Sequence, residues 1–396
     1  GDRQMKQVLP KLKEVNKYLS FLKNCFTKPQ FNHVKNYVGG LIALNKKTIN
    51  SISNSSREEK DQSSLNRFLT EAEWSEDEVQ DRYVKKISHQ TRRKPTSLII
   101  DDSIAEKTGK HIEEVQYHKG HSGNGFVFGH QVVTALIMCF GLLLPLFPKL
   151  YSKKTQSKIE LAKQIIEYAS SKIRISQVII DSWYVCNDII KLCLKKGLTL
   201  IGNIKSNRLI QFGESDWIKL SKYFKSISRK RKEFQTLIID DKTYKIHSKI
   251  VKLKKVGEVK LIISRQWLED KKKWSRPFYI ICTDVSKSDI CVLKEYTKRW
   301  SIETFHKDIK QNLGLEACQM RLRKGITRHL ILVTLAYAIL KLMMFFKKVS
   351  WTIGECIKYI QDKEFDDLVI EVVCIDDRNE RIRMAKEMLL NENAKV

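Results

Sequence analysis

Acidic residues are in short supply: 45 Asp and Glu stand against 73 Lys and Arg, which leaves a formal charge of +28 on 396 residues. That imbalance argues against an ordinary small-metabolite enzyme and favours a polyanionic partner, because binding a polyanion releases its counterions. Nucleic acid is expected ahead of an anionic membrane. The nine cysteines are odd in number and contain no Cys-x-x-Cys pair, which speaks against both a disulfide framework and a structural zinc site. They read as reduced core residues of a cytosolic protein. With only six prolines, 42% hydrophobic residues and no repeat or low-complexity linker, the chain is not disordered. One stretch, residues 330–346, is nearly all apolar and calls for a membrane check. That run falls short of the roughly 20 residues of a membrane span, has Lys341 inside it and is closed by Lys347 and Lys348, so a buried core helix is expected. Lys6, Lys11, Lys13 and Lys17 interrupt the first apolar residues, so no signal peptide is expected.

At about 100–200 residues per domain the length suits two to three domains. Residues 5–90 have helical apolar spacing, as in Leu19, Leu22, Phe26 and again Val34, Tyr37, Val38, Leu41. Within them, 46–52 and 63–69 resemble two short helices around a polar break. They fit either a helix-turn-helix that reads DNA or an ordinary helical hairpin with a solvated face. After the basic run 92–95 the pattern changes to a short apolar strand, 97–100, ending in Asp101-Asp102. Glycines 109, 120, 123, 125 and 129 then punctuate a stretch read as a meander of two or three strands. A helix at 158–172, a strand 177–180 ending in Asp181, a helix at 187–196 and a strand 198–203 alternate, as in a sheet covered by helices. Lysine-rich, β-branched runs from 205 to about 285 read as an inserted β-rich subdomain. From 290 onward the period is helical.

Cleavage of a phosphodiester by two divalent ions requires several carboxylates to converge, since each ion needs hard oxygen ligands and room for phosphate and water. Asp101 and Asp181, each after an apolar strand, would sit side by side if those strands were neighbours. Taken singly, an Asp in that place is commonly a turn or helix-cap residue. A third segment, 296–310, has the form Tyr-x-x-Arg-x-x-x-Glu-x(6)-Lys. On one helix, spacings of 3, 4 and 7 would put Tyr296, Arg299, Glu303 and Lys310 on a single face beside the apolar stripe Ile302, Phe305, Ile309. A salt-bridged surface helix is the bland alternative. Trp300 is expected to pack beneath that helix.

These three segments resemble the DDE transposases of bacterial insertion sequences, in the subgroup with a ribonuclease H-like core and a Tyr-x2-Arg-x3-Glu-x6-Lys signature. The likeness rests on Ile99-Ile100-Asp101-Asp102-Ser103, on Val178-Ile179-Ile180-Asp181-Ser182-Trp183-Tyr184 and on residues 296–310. The 122 positions between Asp181 and Glu303 fit the long insertion of that subgroup. The resemblance implies an α/β fold: a mixed sheet flanked by helices, interrupted by a β-rich insertion, with a helical N-terminal domain and a helical C-terminal region. The divisions are 1–92 (helical, DNA-binding), 93–204 and 288–348 (catalytic core), 205–287 (insertion) and 349–396 (helical, dimerisation).

It also implies two Mg2+ ions, replaceable by Mn2+, held by Asp101, Asp181 and Glu303, while Tyr296, Arg299 and Lys310 contact DNA phosphate. The doublet leaves Asp102 as an alternative to Asp101, although Asp-x-Ser/Thr favours Asp101. The expected partner is double-stranded DNA, at the element's ends and at the target, bound by a homodimer or higher oligomer without a membrane. The expected location is the cytoplasm, at the bacterial nucleoid. A non-catalytic DNA-binding regulator and a ribonuclease H-like structure-specific endonuclease are the rival functions. Trp217, Trp267 and Trp274 in the insertion are candidates for stacking on bases. His111, His118, His121 and His130 read as solvated residues of glycine-rich turns, and the acidic stretch 362–367 as a solvated face.

Overall fold

The structure, a computed structural model, describes residues 11–56, 62–92, 94–109, 111–119 and 125–393. Lys6, Arg93, Gly120, His121 and Gly123 of the sequence reading lie outside them. Five helices come first: α1 (Lys13–Leu19), α2 (Lys28–Ala43), α3 (Ile49–Ser55), α4 (Gln62–Thr70) and α5 (Glu76–Gln90). Thr27 and Gln30 form a reciprocal capping box at the start of α2, and Ser75 caps α5 just before the acids Glu76, Asp77 and Glu78.

The core sheet begins with β1 (Thr96–Glu106), β2 (Gln116–Lys119), β3 (Phe126–Cys139), β4 (Leu142–Pro145) and β5 (Lys149–Leu150). It continues through α6 (Lys158–Lys172), β6 (Ile175–Ile180), α7 (Asn187–Lys195) and β7 (Thr199–Asn203). β1 pairs antiparallel with β3 on one side and parallel with β6 on the other, and β6 pairs parallel with β7. Parallel strands need crossover connections, which α6 and α7 provide. The result is the mixed α/β sheet flanked by helices of the ribonuclease H-like expectation.

β1 does not end at Asp101, as the sequence suggested. It runs five residues further because the long β3 pairs with it from Ser97 to Glu106, whereas its pairing with β6 stops at Ile100 opposite Ile180. The end that matters is therefore the end of that pairing. Asp101 and Asp181 are the next residues on the two neighbouring strands.

The inserted segment comprises β8 (Leu209–Gln211), β9 (Ile218–Lys219), α8 (Leu220–Ile227), β10 (Gln235–Ile239), β11 (Lys242–Leu253), β12 (Gly257–Leu268), β13 (Lys273–Trp274) and β14 (Phe278–Cys282). It is not a sheet apart: β14 hydrogen-bonds to β7 as well as to β12, so the core sheet runs on into the insertion.

Helices α9 (Asp289–Thr297), α10 (Trp300–Gln311), α11 (Arg323–Lys347), α12 (Ile353–Val373) and α13 (Arg378–Asn393) complete the chain. α11 is long and apolar enough to cross a membrane, but 83% of its apolar window is buried inside the protein. It packs against α1, α2, α4, α12 and β4, and so joins the N-terminal helices to the sheet. Two expectations about polar residues need correction. Glu364, in the acidic stretch of α12, is buried and accepts the Leu12 amide at 3.1 Å. His118 and His130 are also buried, bonded to the carbonyls of Gly129 and Glu113, because β2 and the loop before it fold over β3.

A buried polar tie joins the N-terminal helices to the core at Arg328 of α11, only 1% exposed. Its guanidinium bonds Glu76 at 2.6 Å and the carbonyls of Phe68, Leu69, Ala72 and Trp74, and it lies over the Trp74 ring at 4.1 Å. Arg328→Ala leaves these carbonyls and Glu76 without their donor. We expect it to cost about 3–5 kcal/mol in urea unfolding, with Arg328→Lys recovering only a fraction because an ammonium lacks the planar fork. A loss below about 1 kcal/mol for the alanine variant would contradict this role.

Candidate active site

Successive residues of a strand face opposite sides of a sheet, and β1 uses this to separate its two aspartates. Asp102 is buried on the α6 side. Its carboxylate accepts from Lys158 Nζ at 3.0 Å, from the Tyr184 hydroxyl at 2.9 Å and from the Gln131 amide. Asp101 lies on the α10 side, where its Oδ2 accepts from Arg299 Nη1 at 3.1 Å and its Oδ1 from the Asp102 amide at 2.8 Å. The same Arg299 gives its other terminal nitrogen to Glu303 Oε1 at 2.6 Å. One guanidinium thus bridges two of the three acids.

Asp181 follows β6 and does act as a turn residue, its Oδ1 accepting the amides of Trp183 and Tyr184 at 3.0 and 3.2 Å. It is close enough to Asp101 to act on it electrostatically. Burial, then the charge of Asp181, push the Asp101 carboxyl up to about 7, even though Arg299 pulls the other way. Burial alone would disfavour the charge of Arg299, but Tyr296, Asp101 and Glu303 hold its pKa above the ordinary value. The phenol of Tyr296 is pushed up, chiefly by burial, and stays protonated.

The single helix expected at 296–310 is two. Between Thr297 and Trp300 the hydrogen bonds tighten to three-residue steps, Arg299 N to Tyr296 O and Ile302 N to Arg299 O. Tyr296 therefore closes α9, while Glu303 and Lys310 ride on α10, whose Ile302, Phe305 and Ile309 are buried. Lys310 stands apart from the acids, 3.8 Å from Glu316. Trp300 does not pack beneath the helix: it is 61% exposed, with the Arg299 guanidinium 5.5 Å from its ring. In the insertion, Trp217 is exposed, while Trp267 and Trp274 contact each other edge to face across β12 and β13, with Lys245 over Trp274.

Among the described residues no three His, Cys, Asp or Glu side chains are gathered closely enough to hold a metal ion. At this site the Arg299 guanidinium lies between Asp101 and Glu303. The donor set nevertheless suits a hard cation: carboxylates from three separate elements, one held partly uncharged by burial and by its like-charged neighbour. The sequence did not flag Lys158, Gln131 or His306. The His306 ring bonds Thr134, which faces Asp101 across β1 and β3. Only the Asp-Ser-Trp-Tyr string hinted at this surrounding, through Tyr184.

Residues 92–339 match the family described as "Transposase DDE domain", and residues 22–145 match "DDE superfamily endonuclease". The chain belongs to the DDE transposases. It is 24% identical over 258 residues to a probable transposase for insertion sequence element IS701 of Microchaete diplosiphon, covering 59% of this chain and 67% of that relative. Among solved structures it is similar to piggyBac transposase in a synaptic complex with hairpin DNA, at TM-score 0.46 and 11% identity over 95% of this chain and 81% of that one. It is also similar to Endonuclease V of Ciona intestinalis bound to DNA, at TM-score 0.24 and 11% identity over 62% and 92%. DDE transposases act on DNA and generally use divalent metal ions.

The raised pKa of Asp101 makes stability depend on pH. An acid whose folded pKa lies above its unfolded value favours the fold when protonated. Its contribution is full below about pH 4 and disappears as pH rises through about 7. In EDTA, Asp101→Asn is therefore expected to be more stable than the parent at pH 8, by about 2–4 kcal/mol, and close to it at pH 4. Thermal unfolding across that window is the check, and equal curves at pH 8 would contradict the placement of Asp101 against Asp181.

Proposed function

We propose that this transposase cuts DNA at the ends of its element and joins the freed 3′-hydroxyl to target DNA, using two Mg2+ ions, or Mn2+ in their place, held by Asp101, Asp181 and Glu303. The observation that carries the reading is the one guanidinium between Asp101 and Glu303, with Asp181 in register beside Asp101. Such a concentration of negative charge calls for a cation. When bound, the ions polarise the phosphate and lower the pKa of the attacking water.

The chain's own residues do the rest. Asp101, Asp181 and Glu303 supply the oxygen ligands, and Asp101 gives up the proton it holds near neutral pH. Arg299, freed from the carboxylates, and Lys310 grip phosphate oxygens, and the protonated Tyr296 donates a hydrogen bond to the same group. A water oxygen bonds to phosphorus as the bond to the 3′-oxygen breaks, leaving a 3′-hydroxyl and a 5′-phosphate. That hydroxyl then attacks a target phosphodiester and replaces one P–O bond with another. Joining two ends calls for a homodimer or higher oligomer. The place of action is the cytoplasm, at the nucleoid.

With DNA that flanks the protein's own reading frame, cutting should require Mg2+ or Mn2+. Asp181→Ala and Glu303→Ala should reduce it by at least about 10³-fold while gel-shift binding persists. Undiminished cutting by either variant would overturn the assignment. In EDTA the roles should separate: Arg299→Ala weakens end binding by about 1.5–3 kcal/mol, and Glu303→Gln leaves it equal or tighter.

A further inference from the structure

Among the described residues, β2, β4, β5, β9, β10 and β13 each have a neighbouring strand on one side only. A free edge of that kind invites another strand, and proteins commonly guard it with a charge or a proline. Such a guard stands in all of them but one: Lys119 in β2, Pro145 in β4, Lys149 in β5, Lys219 in β9 and Lys273 in β13. β10, with the sequence Gln-Thr-Leu-Ile-Ile, has none, and its Ile238 is 75% exposed. A turn of two residues, Asp240 and Asp241, both at positive φ, joins β10 to β11 and sets Ile239 opposite Lys242. In such a hairpin the pair next to the turn exchanges both of its backbone hydrogen bonds, and the exchange recurs at every second residue. Gln235, Leu237 and Ile239 therefore bond β11, whereas Thr236 and Ile238 turn their amides and carbonyls away from it. These outward groups find no backbone partner among the described residues. α9 packs against β10, where Ile239 is buried, so a face of the strand is covered while its edge stays open.

We propose that the open edge of β10 pairs antiparallel with the β10 edge of a second copy of this chain, about a two-fold axis at Thr236, so that the two sheets become one. Charge selects a second copy as the occupant. The exposed run Arg229, Lys230, Arg231, Lys232 precedes β10 and the exposed Asp240 and Asp241 follow it. Arg231, Lys232, Asp240 and Asp241 take part in no ion pair among the described residues. A strand that is basic at one end and acidic at the other complements itself when reversed. Centred on Thr236, the pairing sets Lys232 toward the partner's Asp240 and Arg231 toward the partner's Asp241. It also places Ile238 opposite the partner's Phe234, whose backbone is already extended, as an aromatic and β-branched cross-strand pair. Centred on Leu237 instead, it would set Lys232 against Lys242 and Glu233 against Asp241. Because the surface is its own complement, the contact closes at two copies and does not propagate into a fibre. This edge supplies the homodimer that the proposed function calls for. It rests on that reading for its purpose alone, since the pairing needs neither DNA nor metal.

Sedimentation equilibrium of the full chain without DNA tests the pairing. The wild-type protein should show a concentration-dependent equilibrium between monomer and dimer. Thr236→Pro removes an amide that points away from β11, so the hairpin keeps its own bonds while the dimer loses its central ones. Association should weaken by at least about tenfold, and Ile238→Lys, which installs the missing guard, should have a similar effect. Lys232→Glu and Asp240→Lys should each weaken association by about 3- to 10-fold, and the two changes together should restore it. The two residues lie at opposite ends of β10 in one chain, so restoration reports a contact between copies. A wild-type protein that stays monomeric up to its solubility limit would overturn the proposal. So would a dimer indifferent to Thr236→Pro and Ile238→Lys, or a charge exchange that restores nothing. Circular dichroism checks that each variant folds, and should Thr236→Pro fail to fold, Ile238→Lys and the charge exchange decide. A wild-type protein that dimerises in this way but cuts no DNA in Mg2+ would overturn the reading of the active site and leave the β10 pairing standing.

Discussion

The geometry of the site turns on one half-buried guanidinium, Arg299, that bridges Asp101 and Glu303 beside the end of the β1–β6 pairing. The parallel pairing of β1 and β6 ends at Ile100 and Ile180, which leaves Asp101 beside Asp181. α10 then brings Glu303 to the same side. Like charges at close range in a partly buried setting favour protonation or a bound cation. Burial first, and the charge of Asp181 second, push Asp101 up to about 7, and Arg299 reaches between Asp101 and Glu303. The buried Nε of Arg299 has no hydrogen-bond partner among the described residues, so the guanidinium meets the acids at the expense of one of its own donors. In the proposed mechanism a divalent cation takes the place of this guanidinium, which then turns to phosphate.

This site needs a rigid surround. α11 is buried along most of its length, receives the N-terminal helices through Arg328 and supports α10 through the edge-to-face contact of Tyr337 with Phe305. On the opposite face of β1, Asp102 takes three donors and fixes Lys158, Tyr184 and Gln131 around the strand. Two adjacent aspartates thus have opposite tasks: one is satisfied and structural, the other is left under tension.

Much of this was legible in the sequence because it depends on local pattern. Apolar runs ending in acids marked β1 and β6, and the buried stripe Ile302, Phe305, Ile309 marked α10. The Asp-x-Ser/Thr form favoured Asp101 over Asp102, but the partners that distinguish the two side chains, Lys158 and Arg299, are 56 and 198 positions away. Long-range pairing also hid the true length of β1, set by β3, and the continuity of the insertion with the core through β14. The burial of His118, His130 and Glu364 could not be read from polarity, since each is paid for by a backbone partner distant in sequence. Trp300 was misplaced because an aromatic beside an apolar stripe usually packs, and here the tightened turn before α10 leaves it outside.

The central claim is that Asp101, Asp181 and Glu303 form one cation site once Arg299 gives way. Replacing Mg2+ with Fe2+ and generating hydroxyl radicals at the bound ion cuts the polypeptide close to its ligands, so the cut positions report which segments surround the metal. The account predicts cuts clustered near residues 101, 181 and 303 in the same molecule, suppressed by excess Mg2+ and lost from all three places in Asp181→Ala. Cuts confined to other segments, or cuts near 101 and 181 that never include 303, would contradict it.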